Sequence, residues 1–242
     1  MAPESTPTPA LEIRGLTVVR SGAPILEGFD LVVPRGGPYA IVGESGAGKT
    51  TLLMALLGLL PPAAGTVRVS GRDITGLPPR RRAELAGLVF QDYQLFPHLT
   101  VLDNVTLAPR LHGRADPEAT ARVLLDDLGL GDLADRYPHA LSGGQRQRVA
   151  IARSLALAPE VLFFDEPTAA LDPRTTGDLA ALLDRLNATS QVVVVSHDWP
   201  FLEGACPHGA LLERGRLAAE GPLESLRARA FGTAGGGAAG TS

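Results

Sequence analysis

The segment GESGAGKTT, residues 43–51, contains Lys49, the one lysine among the 22 basic side chains of this sequence. It fits G-x-x-x-x-G-K-[ST], a loop in which successive backbone N–H groups and one ammonium group cradle phosphate oxygens. Such a loop works only between a strand that delivers it and a helix whose free N-terminal N–H groups and positive dipole end face the same anion. Both flanks are present, with PYAIV before Gly43 and TLLMALLGLL after Thr50. Gly43, Gly46 and Gly48 let the backbone close around phosphates. Glu44, Ser45, Ala47, Lys49, Thr50 and Thr51 complete the nucleotide-binding set, and the Thr50 hydroxyl is a ligand for Mg²⁺. Arginine cannot stand in for Lys49, because its planar fork is wider than a compact point charge.

The expected core is therefore a parallel α/β sheet. AGLVF (86–90), VLFFD (161–165) and QVVVVS (191–196) are short, almost continuous apolar runs, as expected of parallel strands covered on both faces. LEIRGLTVV and ILEGFDLVV, joined by Ser-Gly-Ala-Pro, and then TVRVSGRDI read as a small antiparallel β subdomain beside the nucleotide. Residues 100–140 lack strand signals and carry helical patterns such as PEATARVLLDDLGL. The organisation expected is a flexible arm over 1–10, a single domain over 11–230 with a helical insertion at about 92–158, and a disordered tail over 231–242.

Length and charge limit the alternatives. A chain of 242 residues with 45% hydrophobic content can bury one large core without disulfides or structural metal. A net charge of −4 gives no general nucleic-acid surface, so no nucleic-acid partner is expected. Arg80-Arg81-Arg82 reads as a solvated helix start after Pro78-Pro79. Cys206, the single cysteine, excludes an internal disulfide and reads as a packing residue. The N-terminal MAPESTPTPA has neither the basic region nor the apolar core of a secretory signal. The longest apolar stretch, 52–60, falls well short of the roughly 20 residues that span a bilayer.

Two further constellations carry chemistry. Ser142 is placed to cap a helix that starts at Gly143-Gly144-Gln145, which makes a second helix end open to phosphate. Asp165 ends an apolar strand, where a carboxylate can hold Mg²⁺, and Glu166 follows it, placed to orient or deprotonate a water. His197 follows the strand QVVVVS.

In this order and spacing the chain resembles the ATP-binding subunit of ATP-binding cassette (ABC) transporters over residues of about 11 to 222. GESGAGKT is similar to that family's P-loop, LSGGQ (141–145) to its signature, and VLFFDE to its Walker B strand with catalytic glutamate. Gln91 matches the Q-loop glutamine, Ala170-Leu171-Asp172 the D-loop, and His197 the switch histidine. The resemblance implies ATP and Mg²⁺ as ligands, with Thr50, Gln91 and Asp165 at the metal and Glu166, His197, Lys49 and Gln91 in catalysis. It also implies a head-to-tail homodimer in which Ser142, Gly143, Gly144 and Gln145 of one copy meet the ATP held by the other, with Asp172 at the shared boundary.

The implied assembly includes transmembrane permease subunits at the cytoplasmic face of the inner membrane. Tyr93, Leu95, Phe96 and His98 are expected to line the groove that receives a permease helix, the alternative being that Phe96 and Leu99 pack the insertion's own core. FPHLTVLDNVTLAP is similar to polar amino acid importers, whose transport also needs an extracytoplasmic substrate-binding protein. An exporter ATPase and a non-transport ABC ATPase are the alternatives. Two departures stand out. Arg20 occupies the place, 23 residues before Gly43, where the family stacks an aromatic ring on adenine, and GACPHG replaces an Ala-Asp-Arg-like run after the switch histidine.

Overall fold

The computed structural model describes residues 7–169 and 173–232. In chain order the elements are β1 (Leu11–Arg20), β2 (Ala23–Val33), β3 (Tyr39–Val42), α1 (Lys49–Leu56), β4 (Ala64–Val69), β5 (Arg72–Asp73), α2 (Pro79–Arg82) and β6 (Ala86–Val89). They continue with α3 (Val101–Leu111), α4 (Pro117–Asp127), α5 (Gly143–Leu155), β7 (Val161–Asp165), α6 (Pro173–Asn187), β8 (Gln191–Ser196), α7 (Trp199–Ala205), β9 (His208–Glu213), β10 (Arg216–Pro222) and α8 (Leu223–Gly232).

Six strands form the central sheet in the order β10-β9-β3-β8-β7-β6, and four form an antiparallel sheet in the order β2-β1-β4-β5. β3, β6, β7, β8 and β9 run parallel, so all five deliver their C-terminal ends to one edge. The apolar runs are continuous because each strand serves two cores. Tyr39, Ile41, Val161, Phe163, Val193 and Val195 face α1 and the antiparallel sheet. Ala40, Val42, Leu162, Phe164, Val192 and Val194 face the helices of the insertion and the C-terminal half. Full burial of side chains such as Phe163 and Phe164 contributes roughly 1.5–3 kcal/mol each.

The insertion consists of α3, α4 and α5 between β6 and β7, and local capping sets its helix starts. Thr100 accepts the Asp103 N–H, Asp116 accepts the Ala119 N–H ahead of Pro117, and Ser142 accepts the Gln145 N–H. Each such cap contributes on the order of 1 kcal/mol. The expected arm and tail boundaries shift slightly. Ala10 is buried, donates its N–H to Val33 O at 3.0 Å and accepts the Ser70 N–H. At the other end α8 reaches Gly232, while residues 1–6 and 233–242 lie outside the described residues.

One basic residue departs from the solvated reading of 80–82. Arg82 is 3% exposed, and its guanidinium donates to Ala55 O at 2.7 Å, Leu56 O at 3.1 Å and Leu77 O at 2.9 Å, and also to Thr75 O. A helix end leaves carbonyls without intrahelical partners, and Arg82 supplies donors for those of α1. α1 itself ends at Leu56, four residues before the apolar run that follows Thr50 is complete, because Gly58 turns into the left-handed region at φ 74° before Pro61-Pro62. Cys206 is buried, as expected of a packing residue, and burial pushes its thiol up to about 12. Among the described residues no helix is long and apolar enough to cross a membrane.

Candidate functional site

The loop between β3 and α1 sits at the C-terminal edge of the parallel sheet, where open α/β sheets bind ligands. Gly43 has no room for a side chain, since a Cβ there would lie 2.6 Å from Leu212 O on β9. Gly48 enters α1 at φ 110°, and α1 has no side-chain cap, so its first N–H groups are left for an anion. The turn between β9 and β10 braces the loop from behind. The Gly215 N–H donates to Ala47 O at 2.9 Å, and Gly215 O accepts the Glu27 N–H at 3.2 Å.

Lys49 is 8% exposed and folds back along the loop, donating to Gly43 O at 2.7 Å and Glu44 O at 3.1 Å. Its Nζ also lies 3.4 Å from Glu166 Oε1. Glu166 leaves β7 in the left-handed region, φ 45°, a strained conformation for a residue with a side chain, and its N–H bonds Val195 O at 2.8 Å. Its carboxylate accepts from Ser196 Oγ at 2.7 Å and the His197 N–H at 3.3 Å, and lies 2.9 Å from His197 Nδ1. Burial alone would raise its pKa. Hydrogen bonds from His197 and Ser196, with the charge of Lys49, outweigh that and hold the carboxyl below its ordinary range.

The adjacent Asp165 moves the other way. Burial, then the charge of Glu166, pushes its carboxyl up against the pull of Lys49, and a divalent cation beside it would favour the ionised form. The exposed Thr50, in the first turn of α1, and the exposed Gln91, two residues past β6, lie with Asp165 along this same edge. Among the described residues no cluster of three or more histidine, cysteine or acidic side chains forms a metal cage.

The signature segment presents a second helix end. Ser142 is exposed, and it forms a capping box with Gln145, accepting the Gln145 N–H at 3.2 Å while Gln145 Oε1 accepts the Ser142 N–H at 2.9 Å. The Ser142 hydroxyl proton is left to donate outward, with Gly143 and Gly144 beside it free of side chains. α5 is tied to the sheet edge by Gln147, which donates to Pro167 O at 3.0 Å. Arg153 of the same helix holds Tyr93 O at 2.7 Å and Gln94 O at 2.6 Å, both residues in the left-handed region.

Below Gln91, an apolar groove of about 400 Å³ is lined by Leu57, Leu88, Phe90, Gln94, Phe96 and Leu157 among others. Phe96 is 41% exposed and packs edge-on against His98. Tyr93 differs from expectation, because it is 7% exposed and packs into the insertion core rather than the groove. Leu95 also packs against that core.

Arg20 is exposed at the end of β1, where the turn at Ser21-Gly22 starts. Asp172, with Ala170 and Leu171, lies outside the described residues. GACPHG spans the end of α7 and the start of β9, and its Gly209 packs where a Cβ would lie 2.7 Å from Ala40 O. Sequence reasoning missed Ser196, Arg153 and the Gly215 brace. The turn signal Arg214-Gly215 between two apolar runs was the clue available for the last of these.

Comparison with known proteins gives the family and the fold. The profile of the family described as ABC transporter matches residues 26–169. Over 196 residues the chain is 45% identical to the sulfate/thiosulfate import ATP-binding protein CysA of Mycobacterium tuberculosis, a match covering 79% of this chain and 55% of that protein. It is 39% identical over 229 residues to the L-cystine transport system ATP-binding protein TcyN of Escherichia coli K12, covering 90% and 92%. Against methionine import ATP-binding protein MetN 1 of Burkholderia ambifaria the figures are 43% over 203 residues, 81% and 59%. The chain thus spans only a little over half of the sulfate and methionine relatives but nearly all of the cystine one. Among solved structures, cbiO1 from Clostridium perfringens, part of the ABC transporter complex cbiONQ, superposes with a TM-score of 0.82 at 29% identity, covering 92% of both chains. MJ1267, an ATP-binding cassette in its ADP conformation, gives 0.81 at 24% identity, which supports the fold.

Proposed function

From the premise that this chain belongs to the ABC transporter family, we propose that it binds and hydrolyses ATP to drive transport through separate membrane subunits. The observation that carries this reading is the meeting of Lys49, Glu166 and His197 at one sheet edge, beside an α1 N-terminus without a side-chain cap. In this reading the backbone of 43–51 and Lys49 hold the ATP phosphates, and Glu166 takes the proton of the attacking water. His197 positions Glu166 and the γ-phosphate. Mg²⁺, held by Thr50, Gln91 and Asp165, supplies charge neutralisation for the phosphates when bound.

One copy lacks a donor set on the far side of the γ-phosphate. Two copies paired head to tail provide it through Ser142, Gly143, Gly144 and Gln145, with Asp172 at the boundary, so the active form is a homodimer. The exposed Arg20 offers its guanidinium plane to the base where the family uses an aromatic ring. If so, Arg20→Tyr raises ATP affinity and changes the ATP-to-GTP ratio in a nucleotide titration; unchanged affinity for both removes Arg20 from the base site.

The groove at Phe90, Gln94 and Phe96 takes a short helix of the permease, whose apolar anchors its lining matches. In this reading the protein works at the cytoplasmic face of the bacterial inner membrane. The cargo reading is amino-acid-type import, supported by the cystine and methionine relatives, with an extracytoplasmic substrate-binding protein as third partner. Oxyanion import is the second reading, on the strength of the sulfate/thiosulfate relative. The deciding experiment is affinity purification from detergent-solubilised membranes. The expected result is a polytopic membrane subunit that is retained by the wild type and lost with Phe96→Asp, and whose neighbouring gene encodes a binding protein. Recovery of no membrane subunit by the wild type overturns the transport reading.

A further inference from the structure

The Glu166 carboxylate is divided between two tasks. Oε1 faces the reactive side of the site, 2.9 Å from His197 Nδ1 and 3.4 Å from Lys49 Nζ. Oε2 faces the sheet, 2.7 Å from Ser196 Oγ and 3.3 Å from the His197 N–H. Ser196 is fully buried at the last position of β8. Its oxygen accepts the Asp198 N–H at 3.1 Å. A backbone N–H cannot accept a proton, so with that bond made the hydroxyl proton is left to point at Oε2.

We propose that Ser196 is a positioning residue for Glu166, which locks Oε2 against the end of β8 and thereby keeps Oε1 turned toward Lys49, His197 and the water to be activated. The inference rests on the reading of Glu166 as the residue that activates that water. The backbone shares the task. Glu166 N–H is fixed to Val195 O, one residue before Ser196, so two consecutive residues of β8 hold the main chain and the side chain of the same glutamate. Hydrogen bonds to a charged acceptor are short and strong, and 2.7 Å fits that class. Without the hydroxyl, the carboxylate keeps only the longer His197 N–H on that side and can rotate about its last torsion. Asp198 keeps its link to Thr168 Oγ1, 2.8 Å away, and its cap of the Phe201 N–H, so the local fold does not depend on Ser196 alone.

The test is steady-state ATP hydrolysis by the purified 242-residue chain, with thermal denaturation as the folding control. Ser196→Ala is expected to lower kcat about 10- to 100-fold, the range for a catalytic group misplaced by around 1 Å, with KM for ATP nearly unchanged. Ser196→Thr, which keeps the hydroxyl, is expected to restore most of the rate. Ser196→Cys, a weak donor, is expected to follow the alanine variant and serves in its place if alanine does not fold. In a Glu166→Gln background, Ser196→Ala should cause no further loss, because the group it positions is already disabled. A folded Ser196→Ala or Ser196→Cys with wild-type kcat, or an equal further loss in the Gln background, overturns the inference while leaving Glu166 as the base. Wild-type turnover by Glu166→Gln instead removes the base itself, and the inference with it.

Discussion

Glu166→Gln is expected to lower ATP hydrolysis by about 10²- to 10⁴-fold, the usual contribution of a positioned general base, while ATP still binds and the paired form accumulates. The amide keeps the shape of the carboxylate and can still accept from Ser196 Oγ and the His197 N–H, so the β7 end should hold its conformation. What it loses is the charge. Glu166 is the acidic partner of Lys49 at 3.4 Å, and its carboxylate is kept ionised by the same donors that hold it in place. A neutral amide cannot take a proton from water, and it no longer competes with phosphate oxygens for the Lys49 ammonium. Binding is therefore spared, and hydrolysis, the step that would reopen the pair, is blocked. Phosphate release and light scattering on the same samples check both halves. Hydrolysis at the wild-type rate would sink the assignment of Glu166.

The residues that could be read from sequence are those whose chemistry is local. The P-loop, the strand-end acids and the Ser142 cap follow from spacing and residue type alone, and β3, β7 and β8 are legible because a strand covered on both faces leaves no polar position. The features that stayed hidden depend on elements remote in the chain. Arg82 looked like one of three solvated arginines, and only the carbonyls at the end of α1, some 26 residues earlier, make it a buried donor. Tyr93 looked like a groove residue, but the left-handed turn at 93–94, held by Arg153 about 60 residues later, swings its ring into the core. Ser196 carries no motif of its own. Its role appears only once β7 and β8 lie side by side.

Lys49→Ala should abolish both hydrolysis and ATP-driven pairing, with little loss of folded stability. Among the described residues Nζ makes its hydrogen bonds to two carbonyls of its own loop, Gly43 O and Glu44 O, and pairs with Glu166, which retains Ser196 and His197 when the ammonium is gone. The loop is also fixed by contacts that the substitution does not alter, namely the Gly215 bond to Ala47 and the close approach of Gly43 to Leu212. A folded but phosphate-blind loop is the expected product. The ammonium is the one lysine charge in the chain. Without it, the triphosphate meets the partial charges of α1 and the acidic side chains of Asp165 and Glu166 with no ammonium between them. Lys49→Arg is expected to fail as well, since the guanidinium fork does not fit where a point charge reaches two carbonyls 2.7 and 3.1 Å away. The sharpest form of the test places Lys49→Ala in the Glu166→Gln background, where hydrolysis can no longer dissolve a pair once formed. If Lys49 is what joins ATP to closure, the double variant stays monomeric at ATP concentrations that pair Glu166→Gln alone. An ATP-dependent dimer of the double variant would show that the helix N-termini suffice, and that Lys49 serves only the chemical step.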